Sequence, residues 1–268
     1  GRLSLSDHLS KFVPDIPNGD TITVAELLNM TAGVFSYTED EQFITDYFAN
    51  PTLPFGSDDV LRIVRAHQPD FAPGTEVHYS DSNYVLLELI VEKVTGRSLG
   101  RQIQRDLLAP NGLDSTSYPT TTAMPTPYSH GYLVQPLGAP RDVTVQNPGV
   151  AGGAGAMISD VADLKAWAKL LGKGHLLSRS LRHQQRMFRT LVPGVVHIEY
   201  GLGISRLNGF LGHNGGILGY STAMYYLPSR HATIVVAVNQ DNVGSITATA
   251  LFVSLASYLY PEQFPGLD

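Results

Sequence analysis

The stretch HYSDSNY, His78 to Tyr84, sets Tyr79, Ser80, Asp81, Ser82 and Asn83 at the mouth of an apolar run, VLLELIVEKVTG, Val85 to Gly96. Small polar side chains at such a place can accept from the free N–H groups of a first helical turn. That accounts for Asp81, Ser82 or Asn83 and leaves Tyr79 and Ser80 unexplained. A phenol titrates near ~10 and serves as a general base only where a cation stabilises the phenolate. Taken alone, Tyr79 is better read as a half-buried tyrosine whose hydroxyl meets the backbone. A second stretch, GHNGGILGY, Gly212 to Tyr220, sets His213 and Asn214 before Gly215 and Gly216 at the start of a strand. Two adjacent glycines weaken a strand. Either a substrate backbone pairs closely with that edge and a free N–H stabilises an oxyanion, or the glycines form a β-bulge beside a satisfied histidine. A third stretch, GVAGGAGAMIS, Gly149 to Ser159, is glycine-rich ahead of a helix, as in phosphate-holding loops. No Lys-Ser/Thr follows the glycines, so a tight turn is the simpler reading.

Composition removes whole classes of chemistry. The chain has no cysteine, which excludes disulfides, thiolate catalysis and cysteine metal sites. Its nine histidines show no metal-ligand spacing, and no cofactor is implied. With 24 acids against 18 bases, net −6, the chain lacks the basic face that nucleic acid demands. The apolar stretch Ile246 to Tyr260 is too short to span a membrane and reads as a buried helix.

The positioning elements follow from periodicity. Helices are expected within Thr21–Val34, Ser57–His67, about Asn83–Val94 and Gly100–Leu108. An amphipathic helix follows the Ser/Asp cap after the glycine-rich loop, and a closing helix runs from about Gly244 to Leu259. Tyr118 to Gly149 reads as a long loop with short strands near His130 to Val134. Tyr200–Gly209, Tyr220–Pro228 and His231–Gln240 read as strands, the last two joined by a hairpin at Pro228-Ser229-Arg230. Helices crowd the first half and an antiparallel sheet the last third, an α+β arrangement.

Taken in order, YSDSNY at a helix start, GGAGAMIS-DVADL before an amphipathic helix, YGLG on a strand and HNGG on the next resemble the penicillin-recognising serine hydrolases. That superfamily includes class C β-lactamases, D-Ala-D-Ala carboxypeptidases and β-lactamase-like esterases. The resemblance runs along essentially the whole chain and is densest at PGTEVHYSDSNYVLLELIVEKVTGRSL. It implies a β-lactamase/transpeptidase-like fold: a discontinuous sheet subdomain of residues 1–20 and 150–268, and a mainly helical one of residues 21–149. It implies an acyl-enzyme mechanism with three motifs. Tyr79-Ser80-Asp81 matches Y-x-N, with Tyr79 as general base and later acid. His213-Asn214-Gly215 matches H-x-G, with His213 supporting the proton network of Tyr79. The N–H of Gly216 would form half of the oxyanion hole. Ser80, Asp81, Asn214, Gly215 and Arg206 would bind substrate.

The third motif, S-x-x-K, is not in this sequence. The residues three before Lys11, Lys93, Lys165, Lys169 and Lys173 are His8, Ile90, Ala162, Ala166 and Leu170. The resemblance puts the nucleophile upstream of the segment GRLSLSDHLSKF, so the N-terminal strands and nucleophile helix are expected on a segment outside this sequence, or on a second chain. The strand Ala232–Val238, uncharged and β-branched, would otherwise be a bare edge. Two departures bear on substrate. Asp81 stands where relatives carry Asn, and an ionised carboxylate cannot donate to a substrate carbonyl. Ser205 stands where carboxypeptidase relatives often carry a carboxylate-binding Arg, with Arg206 one residue on and so on the other strand face. The implied enzyme is a serine hydrolase of an ester or amide, esterase, carboxypeptidase or β-lactamase in type, acting on a small molecule or peptide. Export to the periplasm, cell envelope or medium is expected by the same resemblance. The alternative is a non-catalytic ligand-binding protein on this scaffold, or an inactive fragment.

Overall fold

The structure is a computed structural model that describes residues 1–134, 139–242 and 247–267, and it divides into two compact units. The first comprises residues 1–123 and 146–158, the second residues 124–145 and 159–268.

The first unit is helical. It contains α1 (Val24–Leu28), α2 (Glu41–Ala49), α3 (Ser57–Ala66), α4 (Asp81–Thr95) and α5 (Leu99–Ile103). Thr23 caps α1 through a reciprocal pair with Glu26, the capping box its sequence encodes. The helix expected to run on to Gly33 ends at Leu28. Gly33 turns back instead, at φ +68°, where a Cβ would lie 2.2 Å from the carbonyl oxygen of Phe71. Gly96, in the left-handed conformation, stops α4. The expected Gly100–Leu108 helix is α5 followed by one π-helical turn, Gln104–Leu108. Residues 1–20 belong to this unit and not, as expected, with the sheet. Leu9 N–H donates to Ile22 O, and Ala25 N–H to Leu5 O. Leu9 is fully buried there.

The second unit holds β1 (Tyr132–Val134), β2 (Arg141–Asp142), α6 (Val161–Lys173), α7 (Arg179–Gln185), β3 (Arg189–Val192), β4 (Ile198–Tyr200), β5 (Ser205–Leu207), β6 (Phe210–Ile217), β7 (Tyr220–Leu227), β8 (Ala232–Val238), β9 (Gln240–Asn242) and α8 (Thr247–Leu259). Strands β3 to β8 form one antiparallel sheet in sequence order, and β2-β1-β9 form a small second sheet. Residues 124–145 thus join the sheet unit, not the helical one, because β1 pairs with β9. The expected start of the closing helix at Gly244 lies outside the described residues.

The strand expected over Tyr200–Gly209 is two strands, β4 and β5, joined by a tight turn. Gly203 takes φ +69°, and a Cβ on Gly201 would lie 2.1 Å from Gln185 O. The 228–231 hairpin joins β7 to β8 as expected. Leu207, Phe210, Tyr225 and Leu227 of the sheet pack on Phe252 and Ala256 of α8. Burying side chains as large as Phe252 contributes on the order of 2–3 kcal/mol each. On α6, Gly172 lets the helix approach Tyr226, whose ring would lie 2.5 Å from a Cβ there.

Candidate active site

In the first unit the Tyr79–Asn83 turn is gripped from both sides. Ser80 is the N-cap of α4, in extended conformation, yet its hydroxyl makes no capping bond. The polar groups of the motif instead clasp the loop at Ser36–Thr38. Tyr37 N–H donates to Ser82 Oγ at 2.9 Å, Asp81 N–H to Ser36 Oγ at 3.2 Å, and Thr38 Oγ1 to Asp81 Oδ2 at 3.0 Å. Burial raises the Asp81 carboxyl above its ordinary range, against the Thr38 hydrogen bond. Met30, fully buried and at φ +64°, backs the turn. Its sulfur accepts from Ser80 N–H and from Asn83 Nδ2, each at 3.4 Å. Ser80 Oγ and Asn83 Oδ1 are buried without a hydrogen-bond partner among the described residues. His78 lies between Asp70 and Glu39, at 3.1 and 3.3 Å. Tyr79 itself is half-buried between these anchored neighbours.

The glycine-rich loop is a turn held by a carboxylate. Glu88 of α4 accepts from Gly153 N–H and from the Tyr118 hydroxyl, each at 2.7 Å. Burial and this carboxylate push the Tyr118 hydroxyl far above its ordinary range. A phosphate at the Gly153 N–H would meet Glu88, so the loop is not an anion cradle.

In the second unit, His213 to Gly216 lie in the middle of β6, not at its start. They pair with Met224 to Ser221 of β7 in unbroken register, so no bulge is present. Strand β5 pairs with β6 only as far as Gly212. From His213 onward the other edge of β6 therefore carries no strand among the described residues. Among the described residues, no heavy atom beyond its chain neighbours lies within 4 Å of where a Gly216 Cβ would stand. An extended backbone can pair along such an edge, and an N–H facing it can meet a developing oxyanion. The His213 ring meets Tyr200, whose hydroxyl lies 2.8 Å from Nε2. Burial lowers the His213 pKa and so favours the neutral ring, against the contact with Asn214 O, which raises it. Asn214 turns its amide to α8, donating to Thr249 Oγ1 at 3.0 Å.

Arg206 is already engaged. Its Nη2 donates to Glu199 Oε1 at 2.6 Å and its Nε to Oε2, while the guanidinium stacks 4.3 Å from the centre of the Phe188 ring. Ser205 faces the core, its hydroxyl bonded to Gly212 O and Tyr225. Motif reading missed Met30, Ser36, Thr38 and Glu88. None has a local signal, because each meets the motif from a distant part of the sequence.

Residues 1–255 match the Beta-lactamase family, and the chain belongs to it, within the penicillin-recognising serine hydrolases. The chain is 26% identical over 245 residues to the putative penicillin-binding protein PbpX of Bacillus subtilis, covering 90% of this chain and 57% of that protein. It therefore spans little more than half the length of that relative. A D-stereospecific amidohydrolase from Streptomyces sp. superposes with TM-score 0.83 at 33% identity, covering 90% of this chain and 76% of that one. The D-amino acid amidase of Ochrobactrum anthropi shares the fold, with TM-score 0.81 at 20% identity over 96% of this chain and 76% of its own.

Proposed function

We propose that this chain is part of a serine hydrolase that cleaves an amide or ester through an acyl-enzyme, with its Ser-x-x-Lys nucleophile on an upstream segment of the same protein. The observation that carries this reading is the glycine-lined stretch Asn214–Gly216 of β6, which among the described residues pairs with β7 and with no second strand. In the reaction, Tyr79 takes the serine proton as the oxygen attacks the carbonyl carbon. The N–H of Gly216 and that of the serine hold the oxyanion. The C–N or C–O bond then breaks, and the leaving group departs with the proton from Tyr79. Water, deprotonated by Tyr79, releases the acid and restores the serine.

The ion pair of Arg206 with Glu199 favours substrates without a free carboxylate. That supports an amidase or esterase over a carboxypeptidase, in keeping with the D-stereospecific amidohydrolase likeness. Two surfaces support an additional segment. Strand β8 pairs only with β7 among the described residues, and α8 exposes Leu251, Leu255 and Leu259 by 45, 48 and 54%. By the same reading the enzyme works outside the cytoplasm, in the cell envelope or medium, which fractionation of the tagged full-length product tests.

The test of the reaction is intact mass of the full-length gene product after a serine-reactive fluorophosphonate, with turnover of D-amino-acid amides, esters and a D-Ala-D-Ala peptide. One adduct on a serine upstream of Gly1, with amide or ester turnover, supports the reading. No adduct and no turnover would sink it. They would leave the second reading, a ligand-binding protein, which Asp81 in place of Asn favours.

A further inference from the structure

The Tyr200 hydroxyl meets His213, a contact that the three motifs do not supply. Tyr200 ends β4 just before the tight 201–204 turn, where Gly201 N–H donates to Ile204 O at 2.8 Å. It is only 2% exposed. A tyrosine so buried needs a partner for its hydroxyl. Here that contact is His213 Nε2, at 2.8 Å, with the two rings edge to face at 88° and 5.5 Å between centres. On the other side of the imidazole, Nδ1 lies 2.5 Å from the carbonyl oxygen of Asn214. A carbonyl oxygen only accepts, so Nδ1 carries the proton. Nε2 then bears the lone pair, and the Tyr200 hydroxyl donates to it.

We propose that Tyr200 is a positioning residue that fixes the tautomer and ring orientation of His213, giving it a proton on Nδ1 and a hydroxyl-bonded lone pair on Nε2. Its value to catalysis rests on the reading in which His213 serves the reaction, but the proton placement does not. The neutral state favoured by burial is the one this arrangement requires. Without the hydroxyl, Nε2 would be a buried acceptor lacking this donor, and the two tautomers would compete.

The experiment is histidine-selective 15N NMR on the full-length gene product, comparing wild type with Tyr200→Phe, which keeps the ring and removes only the hydroxyl. Wild type is expected to give a single Nδ1–H pattern for His213, with Nε2 at a hydrogen-bonded shift. In Tyr200→Phe the Nε2 resonance moves away from its wild-type position and the second tautomer grows. His231, whose Nδ1 meets the Tyr226 hydroxyl at 2.9 Å, is the internal control and stays in place. An Nε2–H pattern in wild type overturns the proposal. So does an unmoved His213 Nε2 resonance in the variant. If Tyr200→Phe fails to fold, shown by a moved His231 signal, Asn214→Pro is not a substitute. Tyr200→Met then fills the site without supplying another donor, and the same two spectral outcomes decide. Loss of turnover is not the criterion, so failure of the hydrolase reading leaves this result intact.

Discussion

At Asp81 a carboxyl lies against Thr38, and burial makes that costly when it ionises. Because its folded pKa is raised above 3.8, the folded state binds more protons than the unfolded state just above that value. Stability therefore falls as pH rises from about 3.8 through the raised pKa. Asp81→Asn should be more stable than wild type at neutral pH and lack this slope, as denaturant titrations at several pH values would read. Asp142 behaves in the opposite sense. Thr144 and His130 hold its pKa down to about 2. Its contribution is present above 3.8 and lost as pH falls toward about 2. Asp142→Asn should flatten that acid limb. If the full-length enzyme is active, Tyr79→Phe should lower turnover by about 10²–10⁴-fold, the range of general acid–base catalysis, with an unchanged melting temperature. Near-normal turnover would remove Tyr79 as the base.

At the scale of elements, α8 and the sheet carry the core of the second unit. Phe252→Ala should cost about 3–5 kcal/mol in unfolding free energy, because Phe252 is fully buried against Phe210 and Tyr225. The sequence announced these elements where side-chain period and punctuation agree. Helix α4 shows its apolar spacing and its Gly96 stop, and the β7–β8 hairpin its Pro228 turn. The missed helices, α2 and α7, are short, and their pattern gives little to read. The division between β4 and β5 was equally hidden, since Gly201 is forced by a carbonyl of Gln185 from another element. Of the candidate site, the residue types were legible. Arg206 was read as a ligand for substrate because its partner Glu199, seven residues earlier, becomes its neighbour only when β4 pairs with β5.

For this chain without its upstream segment, the edge of β8 is, among the described residues, the exposed feature with most consequence. An uncharged strand edge pairs readily with another copy. Ala237 is exposed on it, so Ala237→Lys should reduce self-association in sedimentation velocity while changing stability by no more than about 0.5 kcal/mol.

The amino-acid sequence by itself determined the family, the order of the motifs and the α+β plan, because these are carried by residue type and spacing along one strand or helix. It also determined that none of these 268 residues can do cysteine chemistry. The tertiary structure decided which polar groups are occupied: Arg206 by Glu199, Gly153 by Glu88, Asp81 by Thr38, and Nε2 of His213 by Tyr200. It also decided that residues 1–20 join the helical unit. Those partners lie as much as 65 residues apart in the chain. A hydrogen bond depends on distance and angle in space, which spacing along the sequence does not encode.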